Sequence, residues 1–523
     1  MPSSELHDVA VLGGGITGAA VAREASRRGF SVVLLEKGDF ASGASSKSSK
    51  LIHGGQRYLE SFHFGLVRES CLERAALGRL APHLVRPLPF LFPIGEASAP
   101  PRPMLAAGLA LYRALAAGTR TEPARFLAKE RPEVAAEAPG LDPAGWTGAY
   151  RYFDAQADDV LLTLAFLRDA AAHGARLFSY TAVLRIARAP GGDVSGVETE
   201  DRRTGERAAF GARVVVSALG PWSNALSGLV GEELPDSVRP SRGSHFYLPA
   251  GVLPVRAAVV LLDRGGRRCY AIPWRGGTLL GTTDADDPVS PDAVAPTAGD
   301  RADLLDAARR FFPSANLDDA SIAGGFAGLR PLLAATRDHS PDDASREESI
   351  AEPVPRLIVS VGGKLTTARK TAGRVVDRAE RILDRDFGRR RPARPRESPL
   401  PGGAIADFEA FRADLRREAF RRLGLSEAQA DRVVEREGAD APAAIDRMAR
   451  EPDLARPISE RLPYTVSDLV WGVERAGAKT VDDLLSRRVR LAWESPAEAR
   501  AVAGRAEEIL REAGAKPIPE PGV

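Results

Sequence analysis

A glycine cluster placed directly after a short apolar strand is the feature that most limits how this chain can fold. Residues 8–12 read as a strand, followed at once by Gly13-Gly14-Gly15-Ile16-Thr17-Gly18. An Ala-rich helical segment then runs to about Arg28-Gly29, and a second strand over 31–35 delivers Glu36. Each part has a mechanical purpose. Gly13 makes the tight turn, Gly15 lets the main chain approach a pyrophosphate, and Gly18 lets the helix pack closely on the strand. The helix start, Gly15-Ile16-Thr17, offers N–H groups and positive dipole to phosphate oxygens. Glu36 suits the ribose hydroxyls. Strand, glycines, helix, strand and acid in this order predict a Rossmann-like βαβ unit that binds a dinucleotide. Glu36 argues against NADP, and both NAD and FAD stay open on this motif. With no second such motif, a single dinucleotide is expected.

The 523 residues exceed what one core organises, so two or three domains are expected. Hydrophobic residues at 44% and charged residues at 27% are ordinary for a globular protein, and a net charge of +2 gives no electrostatic footprint for nucleic acid. Cys71 and Cys269 fit neither a metal motif nor a disulfide framework, which points to a reducing, cytoplasmic setting. The polar residues 1–8 run straight into a strand, so no signal peptide is expected. No apolar stretch reaches the roughly 18–20 residues of a membrane-spanning helix. The longest candidate, from Met104, is broken by Arg113. Two readings of 104–117 stand side by side: a helix lying on the cytoplasmic face of a membrane with its arginines snorkelling, or a core helix of a cap.

Beyond Glu36 comes a run of small and hydroxyl-bearing residues, with Ser45, Ser46, Ser48, Ser49 and Lys50 leading into Leu51-Ile52-His53-Gly54-Gly55. A flexible linker would not need the embedded apolar pair, nor the Arg57-Tyr58-Leu59-Glu60 that follows. This stretch closely resembles the flavin loop of FAD-dependent glycerol-3-phosphate dehydrogenases, within the D-amino-acid-oxidase-like flavoprotein superfamily. Other segments resemble the same family in the same order. They include Ala81-Pro82-His83-Leu84-Val85, Asp154-x-Gln156-x-Asp158-Asp159, Val215 to Trp222, and Gly243-Ser244-His245 opening a strand. Gly281-Thr282-Thr283-Asp284, Gly328-Leu329-Arg330-Pro331-Leu332 and Val361-Gly362-Gly363-Lys364-Leu365-Thr366-Thr367 complete the set. The chain departs from the pattern at Gln56, Leu161 and Ala368, none of which removes a charge expected at substrate.

The resemblance implies non-covalent FAD and oxidation of glycerol 3-phosphate to dihydroxyacetone phosphate. It places Val183, Gly220, Trp222, Gly363, Leu365 and Thr366 at the cofactor, beside the glycines and the serine-rich loop already named. It places Arg57, Tyr58, His245, Arg330, Arg346 and Lys364 at the substrate, with His245, Arg330 and Lys364 in the chemistry. A dianionic substrate calls for several fixed cations. Lys364 near the flavin pyrimidine would stabilise the reduced ring. Removing hydride from C2 leaves a hydroxyl proton for a base, and His245 is the expected acceptor, with a plain hydrogen-bonded histidine as the alternative.

The expected architecture is α/β. A Rossmann-like FAD-binding part is formed by residues 1–80, 150–240 and 325–395. A cap over 81–149 and 241–324 includes an antiparallel sheet that roofs the flavin. Residues 396–523 are expected to form a C-terminal helical domain concerned with packing or assembly, and the basic run 389–395 a solvated linker. The sequence leaves open whether a quinone or oxygen takes the electrons, whether a membrane surface is a partner, and whether the chain is a homodimer. The competing readings are an oxidase acting on the same substrate, an amine- or amino-acid-oxidising flavoenzyme of this fold, and a non-catalytic flavin-binding module.

Overall fold

The computed structural model describes residues 5–95, 102–119, 122–235, 238–286, 290–333, 348–389 and 395–514, with the side chain of Arg57 outside that description. Val9-Ala10-Val11-Leu12 and Val32–Leu35 are apolar without alternation, the pattern of strands covered on both faces, and all are buried. They pair in parallel inside a sheet of order Glu348–Val354, Leu357–Gly362, Arg207–Ser217, Leu6–Leu12, Val32–Leu35, Arg176–Phe178. Helices Ile16–Arg27, Asp159–Ala172 and Ala368–Phe387 contribute to the core on one face of this sheet. The antiparallel pair Thr181–Arg188 and Val194–Asp201 contributes to the other. The chain leaves Leu6–Leu12 to one side for Val32–Leu35, while Arg207–Ser217 occupies the opposite side. That reversal opens a crevice at the carboxyl ends of the strands, where ligands bind in such sheets.

The second sheet has order Ala285–Asp286, Val238–Leu248, Gly277–Gly281, Arg268–Trp274, Ala258–Leu262, Val85–Ile94, Gly148–Ala157, Leu51–Ile52. It is wider than the 241–324 stretch that alternation suggested, because its edges are extended by strands from before and after that stretch. Its pairs are antiparallel except Ala258–Leu262 on Val85–Ile94. Gly324–Leu333 runs along Val238–Leu248 from Val238↔Leu333 to Tyr247↔Gly324. Gly243-Ser244-His245 therefore lies within a strand, paired along Gly324–Leu333 and at His245 also with Gly281, and does not open one as expected.

Helix Arg102–Leu115 explains why two readings of its sequence were open. Leu105 and Leu109 are buried against Phe90, Phe92 and Tyr152, while Met104 is 60% and Leu111 39% exposed. The inner face is core, and the outer face, with Met104 and Leu111, is uncovered among the described residues. Among the described residues no helix is long and apolar enough to cross a membrane.

Helices Phe408–Leu423, Glu427–Glu437, Ala441–Arg450, Val466–Glu474 and Pro496–Ala513 enclose a separate core. This helical unit meets the rest through buried ion pairs, among them Arg488 on Asp39 and Arg490 on Asp158.

Candidate functional site

A cavity of about 520 Å³ runs from the crevice of the first sheet to the inner face of the second. At the crevice end Gly13 has φ +104°, and a Cβ there would overlap the Ala218 carbonyl. A Cβ on Gly18 would overlap the Gly13 carbonyl, so Gly18 serves helix–strand packing and does not line the cavity. Helix Ile16–Arg27 begins at Gly15 without a side-chain cap. Gly15, Ile16 and Thr17 line the cavity, and Ser45 Oγ accepts the Ile16 N–H at 2.9 Å, which ties the serine-rich loop to the helix start. Glu36 accepts the N–H of Gly14 at 2.7 Å and of Gly38 at 2.8 Å. Burial pushes its carboxyl above the usual range, and these two N–H groups oppose the shift. Val183, Gly220 and Trp222 also line this end.

The serine-rich loop divides into two sets. Ser45, Ser48, Ser49, Leu51, His53 and Gly55 face the cavity. Ser46, Lys50 and Gly54, expected at the cofactor, turn away from it. Ser46 Oγ donates to the Gly43 carbonyl, and the Gly54 N–H donates to Tyr112 Oη at 2.9 Å. Lys50 is fully buried with φ +61°, and its Nζ donates to Asp159 Oδ2 and to the Ser46 carbonyl, each at 2.7 Å. Burial lowers it to about 8. These residues brace the loop from behind, a role that hydroxyl-rich composition could not separate from contact.

Across the cavity Gly363, Lys364, Leu365 and Thr366 line the turn after Leu357–Gly362. Thr366 Oγ1 accepts the His53 N–H at 3.3 Å, joining the two loops.

At the far end four separate segments converge on Tyr58, His245, Arg330 and Lys364. Lys364 Nζ lies 3.6 Å from the Tyr58 ring centroid. Arg330 donates to Asp284 Oδ1 at 3.0 Å, to Thr282 Oγ1 at 2.7 Å and to the Thr283 carbonyl at 2.7 Å. His245 is 2% exposed, and its Nε2 lies 2.8 Å from Ser49 Oγ. Its Nδ1 is buried without a hydrogen-bond partner among the described residues, and its ring stacks on Phe326 at 5.0 Å. Burial, then the Lys50 and Arg330 charges, hold its pKa well below the usual imidazole range, so the ring is neutral at pH 7. Of the remaining expected cations, Arg346 lies outside the described residues, and so does the side chain of Arg57.

Sequence reasoning missed Phe90, Phe92, Tyr152, Arg267, Arg268 and Tyr270, which line the second-sheet wall. Strand alternation was the available signal, but it does not say which face meets a ligand. It also missed that Asp284 and Thr282 act on Arg330.

The residues present fit FAD. Close-approach glycines and an acidic ribose partner occupy one end, and the same cavity continues between the two loops to an end lined by aromatic and cationic side chains. A neutral imidazole beside fixed cations can accept a proton from the hydroxyl of an anionic alcohol.

Residues 8–378 match the family model described as FAD dependent oxidoreductase, and residues 394–514 match that of the C-terminal domain of alpha-glycerophosphate oxidase. The chain is 35% identical over 510 residues to a glycerol-3-phosphate dehydrogenase of Mycobacterium leprae (strain TN), covering 97% of this chain and 85% of that one. It is 31% identical over 488 residues to an aerobic glycerol-3-phosphate dehydrogenase of Staphylococcus aureus (strain USA300), covering 92% and 86%. The X-ray structure of the glycerol-3-phosphate dehydrogenase from Bacillus halodurans complexed with FAD is similar with a TM-score of 0.77 at 28% identity, over 98% of this chain and 91% of that one. A glycine oxidase from Geobacillus kaustophilus is similar with a TM-score of 0.55 at 26% identity, over 72% and 95%.

Proposed function

The chain belongs to the FAD-dependent oxidoreductase family, and from that premise we propose that it oxidises glycerol 3-phosphate to dihydroxyacetone phosphate. The observation that carries this reading is the convergence of Tyr58, His245, Arg330 and Lys364 at one end of a dinucleotide cavity. An amino-acid carboxylate calls for one cation, whereas Arg330 and Lys364 place two at this end, which suits a phosphate dianion. Bound FAD supplies the acceptor for the hydride that leaves C2.

The chain's own residues do the rest. Arg330, whose terminal nitrogens are held by Asp284, Thr282 and the Thr283 carbonyl, sets a positive charge of fixed direction at the cavity wall for the phosphate, and Lys364 adds a second positive charge over Tyr58. His245 takes the C2 hydroxyl proton. As the C2–H bond breaks with its electron pair, the O–H electrons form the carbonyl. The lowered His245 pKa keeps the ring unprotonated before the transfer, and Ser49 orients it.

We assign the electrons to a lipid-soluble quinone met at a membrane surface, with oxygen as the competing acceptor. Supporting this are the exposed Met104 and Leu111 on helix Arg102–Leu115, with Phe62 (75% exposed) and Phe64 (40%) on the neighbouring turn. Flanking arginines suit anionic headgroups. The chain-level test is product analysis: turnover with glycerol 3-phosphate and a redox dye should yield dihydroxyacetone phosphate. Dye reduction by glycine without reaction of glycerol 3-phosphate would replace this reading with the amine-oxidising one. Turnover with a ubiquinone analogue, measured beside peroxide release, distinguishes the acceptors.

A further inference from the structure

We propose that Trp493 and Arg490, both in the C-terminal helical unit, are positioning residues for His245, so that this unit holds the base of the reaction proposed above in place. The inference rests on that reading of His245.

Two lines of contact start from one short segment and end on the same imidazole. The first begins at Arg490, which is 1% exposed and left-handed at φ +65°. Its guanidinium donates to Asp158 Oδ1 at 2.7 Å and to Asp159 Oδ1 at 2.6 Å. The other oxygen of Asp159 accepts the Ser48 N–H at 3.1 Å, the Ser48 hydroxyl at 2.7 Å and Lys50 Nζ at 2.7 Å. Ser48 and Lys50 bracket Ser49, whose hydroxyl lies 2.8 Å from His245 Nε2. The second line begins three residues later. The Trp493 indole packs edge-on against Phe326 with centroids 5.1 Å apart. Phe326 lies nearly parallel to His245 at 5.0 Å and 19°.

An imidazole has two side-chain torsions, and here a hydrogen bond and a stacked ring each restrain it. Both restraints lead back to the segment 490–493. Anchoring alone would not require this arrangement, because Arg488 already ties the same unit to Asp39 at 2.7 and 2.8 Å, at the crevice end and without contact to His245. Buried ions are costly to desolvate and serve best where they fix one geometry. Displacing a reacting group by about 1 Å can cost about 100-fold in rate.

The test uses full-length, FAD-loaded protein and anaerobic stopped-flow reduction of the flavin by glycerol 3-phosphate. It compares Trp493→Leu, Trp493→Phe, Arg490→Lys and, as the anchoring control, Arg488→Lys. Trp493→Leu and Arg490→Lys should slow flavin reduction at saturating substrate by about 10- to 100-fold, with the apparent Kd moving less than about threefold. Trp493→Phe should recover most of the rate, and Arg488→Lys should stay near the parent. The proposal is overturned if folded Trp493→Leu and Arg490→Lys reduce their flavin within about twofold of the parent, or if Arg488→Lys slows it as much. Should Trp493→Leu fail to retain FAD, Phe326→Leu, which removes the stacked ring, combined with Ser49→Ala decides. A rate loss about equal to the product of the single losses means that the two lines act independently and contradicts joint positioning, whereas a smaller loss supports it. A parent protein that glycerol 3-phosphate does not reduce removes the functional reading itself, a result separate from any difference among the variants.

Discussion

The Arg330 guanidinium lies 3.0 Å from Asp284 Oδ1, held from the turn that ends strand Gly277–Gly281. Arg330 therefore presents a charge whose direction is set before substrate arrives. Arg330→Ala should raise KM for glycerol 3-phosphate by about 10- to 150-fold, since a hydrogen bond to a charged group contributes about 1.5–3 kcal/mol. Asp284→Asn should produce a smaller rise in KM by loosening the same guanidinium. Steady-state kinetics with a dye acceptor measure both, with glycerol as a poor substrate of the parent. Equal turnover of glycerol and its phosphate would contradict a phosphate role for Arg330.

His245 is neutral well below the ordinary imidazole range, because burial and the Lys50 and Arg330 charges oppose protonation. The rate of flavin reduction should therefore hold level as pH falls through about 6.5, where a free histidine would lose its basic form. His245→Asn should lower the rate by about 100- to 10,000-fold at unchanged FAD content. Stopped-flow reduction across pH measures both. An acid limb at 6.5 in the parent would mean that the base is another, exposed group.

His83 is buried and pushed down to about 3, first by desolvation and then by Arg168 and Arg86. Above the unfolded value of about 6.5 it is neutral in both states and does not affect stability. Below that value the unfolded chain takes up a proton that the folded chain refuses. Stability is then lost as pH falls from 6.5 towards 3, by about 1.4 kcal/mol per pH unit for this group. His83→Gln should flatten the acid side of a plot of Tm against pH. A slope unchanged from the parent would contradict this account of His83.

Gly18 is confined by the Gly13 carbonyl, which a Cβ would overlap. Gly18→Ala should part the helix from the turn and yield protein with little bound FAD, visible as a loss of flavin absorbance per chain. In the parent the flavin should leave with acid precipitation, as expected of a non-covalent cofactor. Flavin remaining on the precipitated polypeptide would contradict that expectation.

The two faces of helix Arg102–Leu115 should answer differently to substitution. Leu105→Ala or Leu109→Ala, at the buried face, should destabilise the fold by about 2–5 kcal/mol. Leu111→Glu with Met104→Glu should leave folding and dye-linked activity intact while reducing liposome sedimentation and quinone turnover. Full liposome binding by that double variant would remove this face as the membrane contact.

The first sheet was legible because its strands carry their environment in their composition. Val9 to Leu12 is apolar throughout, and Gly13, Gly15 and Gly18 have geometric duties that few other residues can fulfil. The crevice residues followed from those glycines. The second sheet was harder to read: its partners lie far apart in sequence, as Leu51–Ile52 on Gly148–Ala157 shows, and local alternation does not report pairing. Lys50 illustrates a different limit. Its neighbours Ser49 and Leu51 face the cavity, while a left-handed φ turns its own ammonium towards Asp159, and nothing local in the sequence marks that turn. Trp493 and Arg490 lie in the helical unit expected to serve packing or assembly, and their partners here lie more than 160 residues away, beyond the reach of any local pattern.

The central claim is that one cavity brings flavin and glycerol 3-phosphate together. Anaerobic addition of glycerol 3-phosphate to the yellow holoprotein tests it most directly. The account predicts that the visible flavin absorbance bleaches, with one dihydroxyacetone phosphate formed per flavin, and that glycerol and glycine leave the colour unchanged. A flavin that stays oxidised with glycerol 3-phosphate, or that bleaches as readily with glycine, would contradict it.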